Sequence, residues 1–149
     1  MTILNQFAEF LEKQDLLSKL TESEKLHNYG YSEIHVIACV GDLEEPNVTE
    51  IAGTLKMTKG AVSKITKKLI SQNILESYGI AGNRQKVFFR LTETGRGLYN
   101  EHDQRHQLWI ERDNRFLQRF SQEQLEQISQ FMTMYNHYLE TQINELGGK

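Results

Sequence analysis

The spacing of apolar and polar positions predicts a chain of amphipathic helices with one pair of strands between them. Leucines and Phe7 recur at helical spacing over residues 3–20, which predicts an N-terminal amphipathic helix. A short second helix is predicted from Ser32, as its N-cap, to Gly41. A loop with the only proline of the chain, Pro46, follows this helix.

Two helices after this loop form a helix-turn-helix pattern. Asn47, followed by Glu50 three positions later, is typical of a capped helix start. After a turn at Lys56, where many such motifs have a glycine in a left-handed conformation, the next helix covers residues 58–71, with Thr58 as its cap. Since helical residues lie about 100° apart, the helix over residues 58–71 has an apolar inner face and a polar outer face. The inner face holds Val62, Ile65 and Leu69, and the outer face holds Gly60, Ser63, Lys64 and Lys67.

The pattern then changes to that of a β-hairpin. Residues 75–78 and 86–91 are strand-like, and the second segment alternates Val87, Phe89 and Leu91 with Phe88 and Arg90. Glycines and an asparagine over residues 79–84 predict the connecting turn. The hairpin is therefore predicted to be a wing, with Asn83 and Arg84 at its tip and Lys86 on the returning strand.

Two long helices complete the predicted order of elements. The first begins at Thr92 and ends near residue 119, and Ser121 with Gln124 is a capping box for the second. Apolar residues of the last helix recur at spacings of three, four or seven: Leu125, Ile128, Met132, Tyr135, Leu139 and Leu146. Such a narrow stripe, together with the N-terminal amphipathic helix, indicates two subunits joined by their ends.

Charge is distributed unevenly along the chain. The net charge is −3, but residues 51–91 hold eight Lys or Arg against one acid, and the remainder is strongly acidic. A basic segment on an acidic frame favours a nucleic-acid partner. No run of eighteen apolar residues and no signal peptide is evident, so we expect a cytoplasmic protein without a membrane partner. Cys39 is the only cysteine, which excludes an internal disulfide.

The sequence resembles the MarR (multiple antibiotic resistance regulator) family of transcription factors. The residues that carry the likeness are VTEIAGTLKMTKGAVSKITKKLISQNILES at 48–77 and FFRLTETGRGLY at 88–99, of which LTETG at 91–95 is the most specific. The resemblance implies a mainly α fold with a minor β part, a winged helix-turn-helix that dimerises through its terminal helices. It assigns dimerisation to residues 1–31 and 114–149, the winged lobe to 32–92, and a connecting long helix to 93–113.

The DNA contacts are predicted on the helix over residues 58–71 and on the wing. Ser63, Lys64 and Lys67 are expected at base edges or in the groove, Gly60 allows a close approach, and Thr58, Lys59 and Lys68 are expected at phosphates. The resemblance places Arg84 in the minor groove. The family usually has Asp-x-Arg here, whereas this chain has Gly82, Asn83 and Arg84. The alternative for the lysines is a solvated helix face.

His102 and His106 stand one helical turn apart, as two imidazole ligands of one metal would. Zinc-uptake repressors of the family place ligands in this long helix and one in the short second helix, where this chain has His35. The resemblance thus implies a Zn²⁺ site at His35, His102 and His106, with Glu24 or His27 as the fourth ligand. The alternative is polar residues on an exposed helix.

Two further features have a functional and a structural interpretation. Some family members sense peroxide with one cysteine, but Cys39 lies among apolar residues and is more typical of a core. Four aromatic residues could line a ligand crevice or belong to the core, and the core is preferred: Tyr29, Tyr31, Phe88 and Trp109.

The sequence as a whole predicts a ligand- or metal-responsive repressor that binds a palindromic double-stranded operator as a homodimer. The sequence does not identify its effector. One alternative is a zinc-sensing repressor, and another is a helical protein-interaction module without DNA binding. An enzyme is not expected, because no nucleophile stands beside a plausible base and no glycine-rich phosphate loop follows a strand.

Overall fold

The computed structural model describes residues 1–21, 26 and 28–147. Its elements are α1 (Ile3–Thr21), α2 (Tyr31–Asp42), α3 (Val48–Leu55), α4 (Lys59–Ser71), β1 (Leu75–Ile80), β2 (Asn83–Leu91), α5 (Glu93–Leu117) and α6 (Gln122–Gly147). They form two compact units, Met1–Gln107 and Leu108–Lys149. None of the helices in the described part of the chain is long and apolar enough to span a bilayer.

The core of the first unit lies where α2, α3 and α4 meet the sheet. Val36, Ile51, Val62 and Leu69 are fully buried there, and Leu98 brings α5 into the same cluster. Each of these helices contributes one apolar face, which is the amphipathic pattern that the sequence predicts. The mainly α fold with a minor β part is therefore confirmed.

Two of the predicted details of α2 are wrong. Ser32 is not its N-cap: Gly30 has an extended backbone and accepts the first helical hydrogen bond from the amide of Ile34, so the helix begins at Tyr31. The helix also does not end at Gly41, which is helical and lies against the ring of Tyr99. A Cβ at Gly41 would lie 2.4 Å from that ring, so a close approach rather than a helix end requires glycine here.

The two strands form an antiparallel hairpin that is longer than predicted. Ile80 pairs with Asn83 across a two-residue turn, Ala81 and Gly82, and Gly82 has a φ of 87°. Positive φ costs glycine little, which explains this residue at the second turn position. The predicted loop over residues 79–84 is thus wrong, since Asn83 and Arg84 belong to the start of β2.

The predicted alternation along β2 is also wrong at two positions, Val87 and Phe88. Phe88 and Phe89 are both buried, whereas Val87 is 53% exposed. The reason is a contact distant in sequence: the segment before α3 lies beside β2, with Asn47 bridged to Phe88 and the amide of Phe89 donating to the carbonyl of Pro46. This pairing brings the segment against β2 at Phe88, a neighbour that the strand pattern alone does not reveal.

The terminal helices leave their apolar residues exposed. Neither α1 nor α6, both described over their full length, contains a buried residue. In α1 the exposed apolar side chains include Leu4, Leu11 and Leu20, and in α6 they include Met132 and Leu139. The predicted capping box of α6 is present, since the Ser121 hydroxyl accepts from the Gln124 amide and the Gln124 side chain accepts from the Ser121 amide.

Candidate DNA-binding surface and histidine cluster

The ends of α3 and the start of α4 are defined by local features that the sequence predicts. The Asn47 side chain accepts from the amide of Glu50 at 2.9 Å and caps α3. Lys56 ends that helix in the left-handed conformation, with φ 53° and ψ 44°. The hydroxyl of Thr58 accepts from the amide of Ala61 at 3.1 Å and starts α4. The predicted caps and the left-handed turn residue are therefore confirmed.

Packing fixes which face of α4 points outward. Val62 and Leu69 are fully buried, and Ile65 is only partly buried. Thr66 is buried as well, because its hydroxyl donates to the carbonyl of Ser63 and needs no water. The sequence pattern missed Thr66, and its polar class gave no signal for burial.

The outward face of α4 is cationic. Lys59, Lys64 and Lys67 are exposed and form no ion pair within the described part of the chain. Exposed, uncompensated lysines on one helix face can bind phosphates. Lys68 differs from them, because its ammonium forms an ion pair with the carboxylate of Glu33 on α2.

The wing adds a second cationic surface. Arg84 and Lys86 lie exposed on β2, and Asn83 is half-buried at its start. Arg90, farther along the strand, forms an ion pair with Glu76 at 2.6 Å and lies over the ring of Tyr78. Of the wing cations, Arg84 and Lys86 are thus the ones positioned to meet an anionic partner. Their predicted DNA contacts stay predictions.

The LTETG segment fastens the wing to α5. The Thr92 hydroxyl donates to the carbonyls of Asn73 and Ile74, at 2.7 and 3.0 Å, and accepts from the amide of Gly95. A Cβ at Gly95 would lie 2.1 Å from the carbonyl oxygen of Ile74. This residue is glycine because α5 begins in contact with the backbone that follows α4.

Three histidines gather between α2 and α5. The ring centroids of His35 and His102 are 6.1 Å apart, and those of His102 and His106 are also 6.1 Å apart. Two imidazoles on one tetrahedral Zn²⁺, with Zn–N distances of about 2.0–2.1 Å, would have centroids roughly 5 Å apart. The rings would need to approach by roughly 1 Å to share a metal on that geometry.

The electrostatics of this cluster favour the neutral imidazole at His35 and His102. Burial lowers the pKa of His35, and the neighbouring His106 lowers it further. Burial likewise lowers the pKa of His102, followed by the charges of His35 and His106. Neutral imidazole is the form that binds metal, so the donor chemistry fits Zn²⁺. Among the residues that the structure describes, however, no three His, Cys, Asp or Glu side chains are arranged to hold a metal.

Two of the predicted zinc ligands, Glu24 and His27, lie outside the described residues. Cys39 is buried among core residues, and burial raises the pKa of its thiol, which disfavours the reactive thiolate.

Among the four aromatic residues, Tyr29 lines a cleft of about 380 Å³ with Asn28, Thr94, Gly97 and Leu98. Phe88 is buried in the wing, and Tyr31 is 80% exposed beside His35.

Comparisons with known proteins agree with this architecture. The chain is 39% identical over 94 residues to the uncharacterized HTH-type transcriptional regulator YhjH of Bacillus subtilis, a match that covers 63% of the chain and 54% of YhjH. The chain thus spans about half the length of this relative.

Two solved structures share the fold over nearly the whole chain. The adhesin competence repressor AdcR from Streptococcus pyogenes has a TM-score of 0.81 at 24% identity, over 94% of this chain and 99% of AdcR. Lactococcus lactis ZitR in complex with DNA has a TM-score of 0.75 at 22% identity, over 93% and 99%. The model of the MarR family matches residues 31–87, which include α2, the helix-turn-helix and most of the wing. This chain belongs to the MarR family.

Proposed function

We propose that this protein is a regulator of transcription rather than an enzyme, and that it binds a palindromic operator as a homodimer. The observation that carries the proposal is the outer face of α4, where Lys59, Lys64 and Lys67 are exposed and form no ion pair with a described residue, beside the cationic wing. In this arrangement α4 enters the major groove and Arg84 reaches the flanking minor groove. The solved complex of ZitR with DNA supports it by analogy of fold.

The two-fold symmetry of such an operator requires a dimer. The exposed apolar faces of α1 and α6 supply a surface that a second copy can cover, because isolated amphipathic helices do not keep such faces in water. Dimerisation predicts a particle of twice 17.4 kDa in sedimentation equilibrium. Leu139→Glu should shift that particle toward the monomer, and an unchanged dimer would remove α6 from the interface.

The test of DNA binding is a fluorescence anisotropy titration on A·T-rich palindromes with half-sites 10 to 10.5 base pairs apart. Lys64→Ala should weaken binding and reduce its salt dependence. The reason is that without this ammonium one phosphate keeps its counterion, which is then no longer released on binding. Lys13→Ala is the matched control, since Lys13 is exposed on α1 and paired with Glu9. Absence of salt-sensitive binding by the unmodified protein would support a protein-interaction module instead.

A zinc-responsive repressor is the second candidate. The observation that favours it is that His35 on α2 lies against His102 on α5. Because these residues are far apart in sequence, only the folding of the chain brings their rings together. A solved structure of ZitR is described as that of a zinc-responsive MarR family member. Zn²⁺ held by these imidazoles would join α2 to α5 and thereby bias the position of α4.

Zinc binding can be measured by titration against a chromophoric chelator at neutral pH. His102→Ala should lower the affinity for zinc, whereas His137→Ala on α6 should leave it unchanged. DNA titrations with zinc and with a chelator then show whether the metal regulates the operator complex. Equal zinc affinity of both variants would eliminate the site at His35, His102 and His106.

A further inference from the structure

One lysine of α4 is turned away from the outer face of the helix. Lys68 follows Lys64 by one helical turn, so the two would be expected to face DNA alike. Lys64 is exposed and forms no ion pair with any described residue. The ammonium of Lys68 instead contacts the carboxylate of Glu33 at the start of α2.

The ion pair is unequal in burial. The Glu33 side chain is only 15% exposed, whereas that of Lys68 is 52% exposed. The second carboxylate oxygen of Glu33 is buried and accepts no hydrogen bond from any residue that the structure describes. Within the described part of the chain, Lys68 is therefore the cation that compensates the charge of a carboxylate withdrawn from water.

This dependence opposes the use of Lys68 as a phosphate contact. If the ammonium moved to a phosphate, Glu33 would keep a desolvated charge without a counterion, which is unfavourable. Pairing also means that Lys68 adds no net charge to the surface of α4. Glu33 belongs to the first turn of α2, and the residue that follows it, Ile34, is buried.

We propose that Glu33 is a positioning residue that holds Lys68 against α2 and withholds it from the DNA backbone. The number of phosphates that α4 can neutralise is thus lower by one per subunit than its lysine content indicates. This inference rests on the proposed function, since it concerns how the DNA-binding surface is limited. It also departs from the sequence-based expectation that Lys68 binds a phosphate.

The experiment measures the salt dependence of DNA affinity for four variants. Each phosphate contact contributes about 0.9 to the slope of log affinity against log salt, or about 1.8 when both subunits of a dimer are changed. Lys64→Ala should reduce the slope by that amount, and Lys68→Ala should leave it unchanged. Glu33→Gln should increase it by the same amount, so that its affinity falls about 12-fold more than that of the unmodified protein between 50 and 200 mM salt.

The double variant Glu33→Gln/Lys68→Ala separates this role from a general effect of charge. If Glu33 acts through Lys68, the double variant should return to the slope of the unmodified protein. If the increase persists without Lys68, Glu33 merely repels DNA and the proposal is wrong. An equal reduction of the slope by Lys68→Ala and Lys64→Ala also overturns it, although DNA binding itself then stands.

Thermal unfolding supplies an independent readout. Lys68→Ala should lower the melting temperature more than Lys64→Ala does, because only the first substitution leaves a buried carboxylate uncompensated. Equal melting temperatures would contradict the dependence of Glu33 on Lys68. Absence of salt-sensitive DNA binding by the unmodified protein would overturn the proposed function together with this inference.

Discussion

Replacing Gly95 with alanine tests how closely α5 begins against the end of α4. The added Cβ would lie 2.1 Å from the carbonyl oxygen of Ile74, a backbone atom that cannot rotate away. Relieving that overlap requires α5 or the segment before β1 to shift. The same carbonyl accepts a hydrogen bond from Thr92, so a shift also disturbs the contact that joins the wing to α5.

The expected magnitude follows from two opposing contributions. Overpacking costs about 3 kcal/mol at the severe end of its range. Alanine is favoured over glycine inside a helix by about 1 kcal/mol, which leaves a net loss of about 2 kcal/mol. With an unfolding entropy of about 2 cal/mol/K per residue, that loss lowers the melting temperature by about 6 °C.

Gly97 provides the matched control. It lies in the same helix, and a Cβ there would meet no atom of the described residues within 4 Å. Gly97→Ala should therefore gain only the helix preference of about 1 kcal/mol, and its melting temperature should rise by about 3 °C. Melting followed by circular dichroism at one protein concentration compares the variants fairly, since the proposed dimer would make stability depend on that concentration. Equal melting temperatures for the two variants would refute the close contact at Gly95.

Three further predictions concern a cap, the histidines and the wing. Asn47→Ala should cost about 1 kcal/mol in urea unfolding, because the amide of Glu50 loses its acceptor, whereas Asn47→Asp should retain most of the stability. In the metal-free folded protein the pKa values of His35 and His102 are lowered from the ordinary histidine value of about 6.5. As the pH falls through that value, the unfolded chain therefore binds protons at these histidines before the folded protein does. Stability should therefore fall as pH is lowered from 7 to 5, and His102→Gln should flatten that dependence; a flat profile for the unmodified protein would contradict it. Arg84→Ala should weaken operator binding at physiological salt, and full retention of affinity would exclude the minor-groove role.

Features set by neighbours in sequence could be predicted well. Asn47, Thr58 and Ser121 each accept a hydrogen bond from an amide three residues later, so a short motif holds all that the cap requires. The left-handed conformation of Lys56 likewise follows from the length of the turn between two helices. The N-cap of α2 is Gly30 and not the predicted Ser32. No side chain of the described residues caps this helix, so the residue at which it begins is set by the backbone alone.

Contacts between distant segments could not be predicted from periodicity. Phe88 is buried because the chain at Pro46 pairs with β2, a contact across some forty residues of sequence. The predicted face of α4 missed Thr66, whose hydroxyl is satisfied by its own helix. In both cases the pattern assigned a face correctly for most positions and failed where a local or distant partner replaced water.

The sequence by itself determined the order of elements, the caps of α3, α4 and α6, and the cationic content of α4 and the wing, because these depend on residues a few positions apart. Only the tertiary structure decided which of those charges are available. It placed Lys68 against Glu33 and Arg90 against Glu76, and it left Lys64 exposed without an ion pair among the described residues. It also brought His35 to His102. The physical reason is that charge compensation and burial depend on distance in space, which periodicity along the chain does not encode.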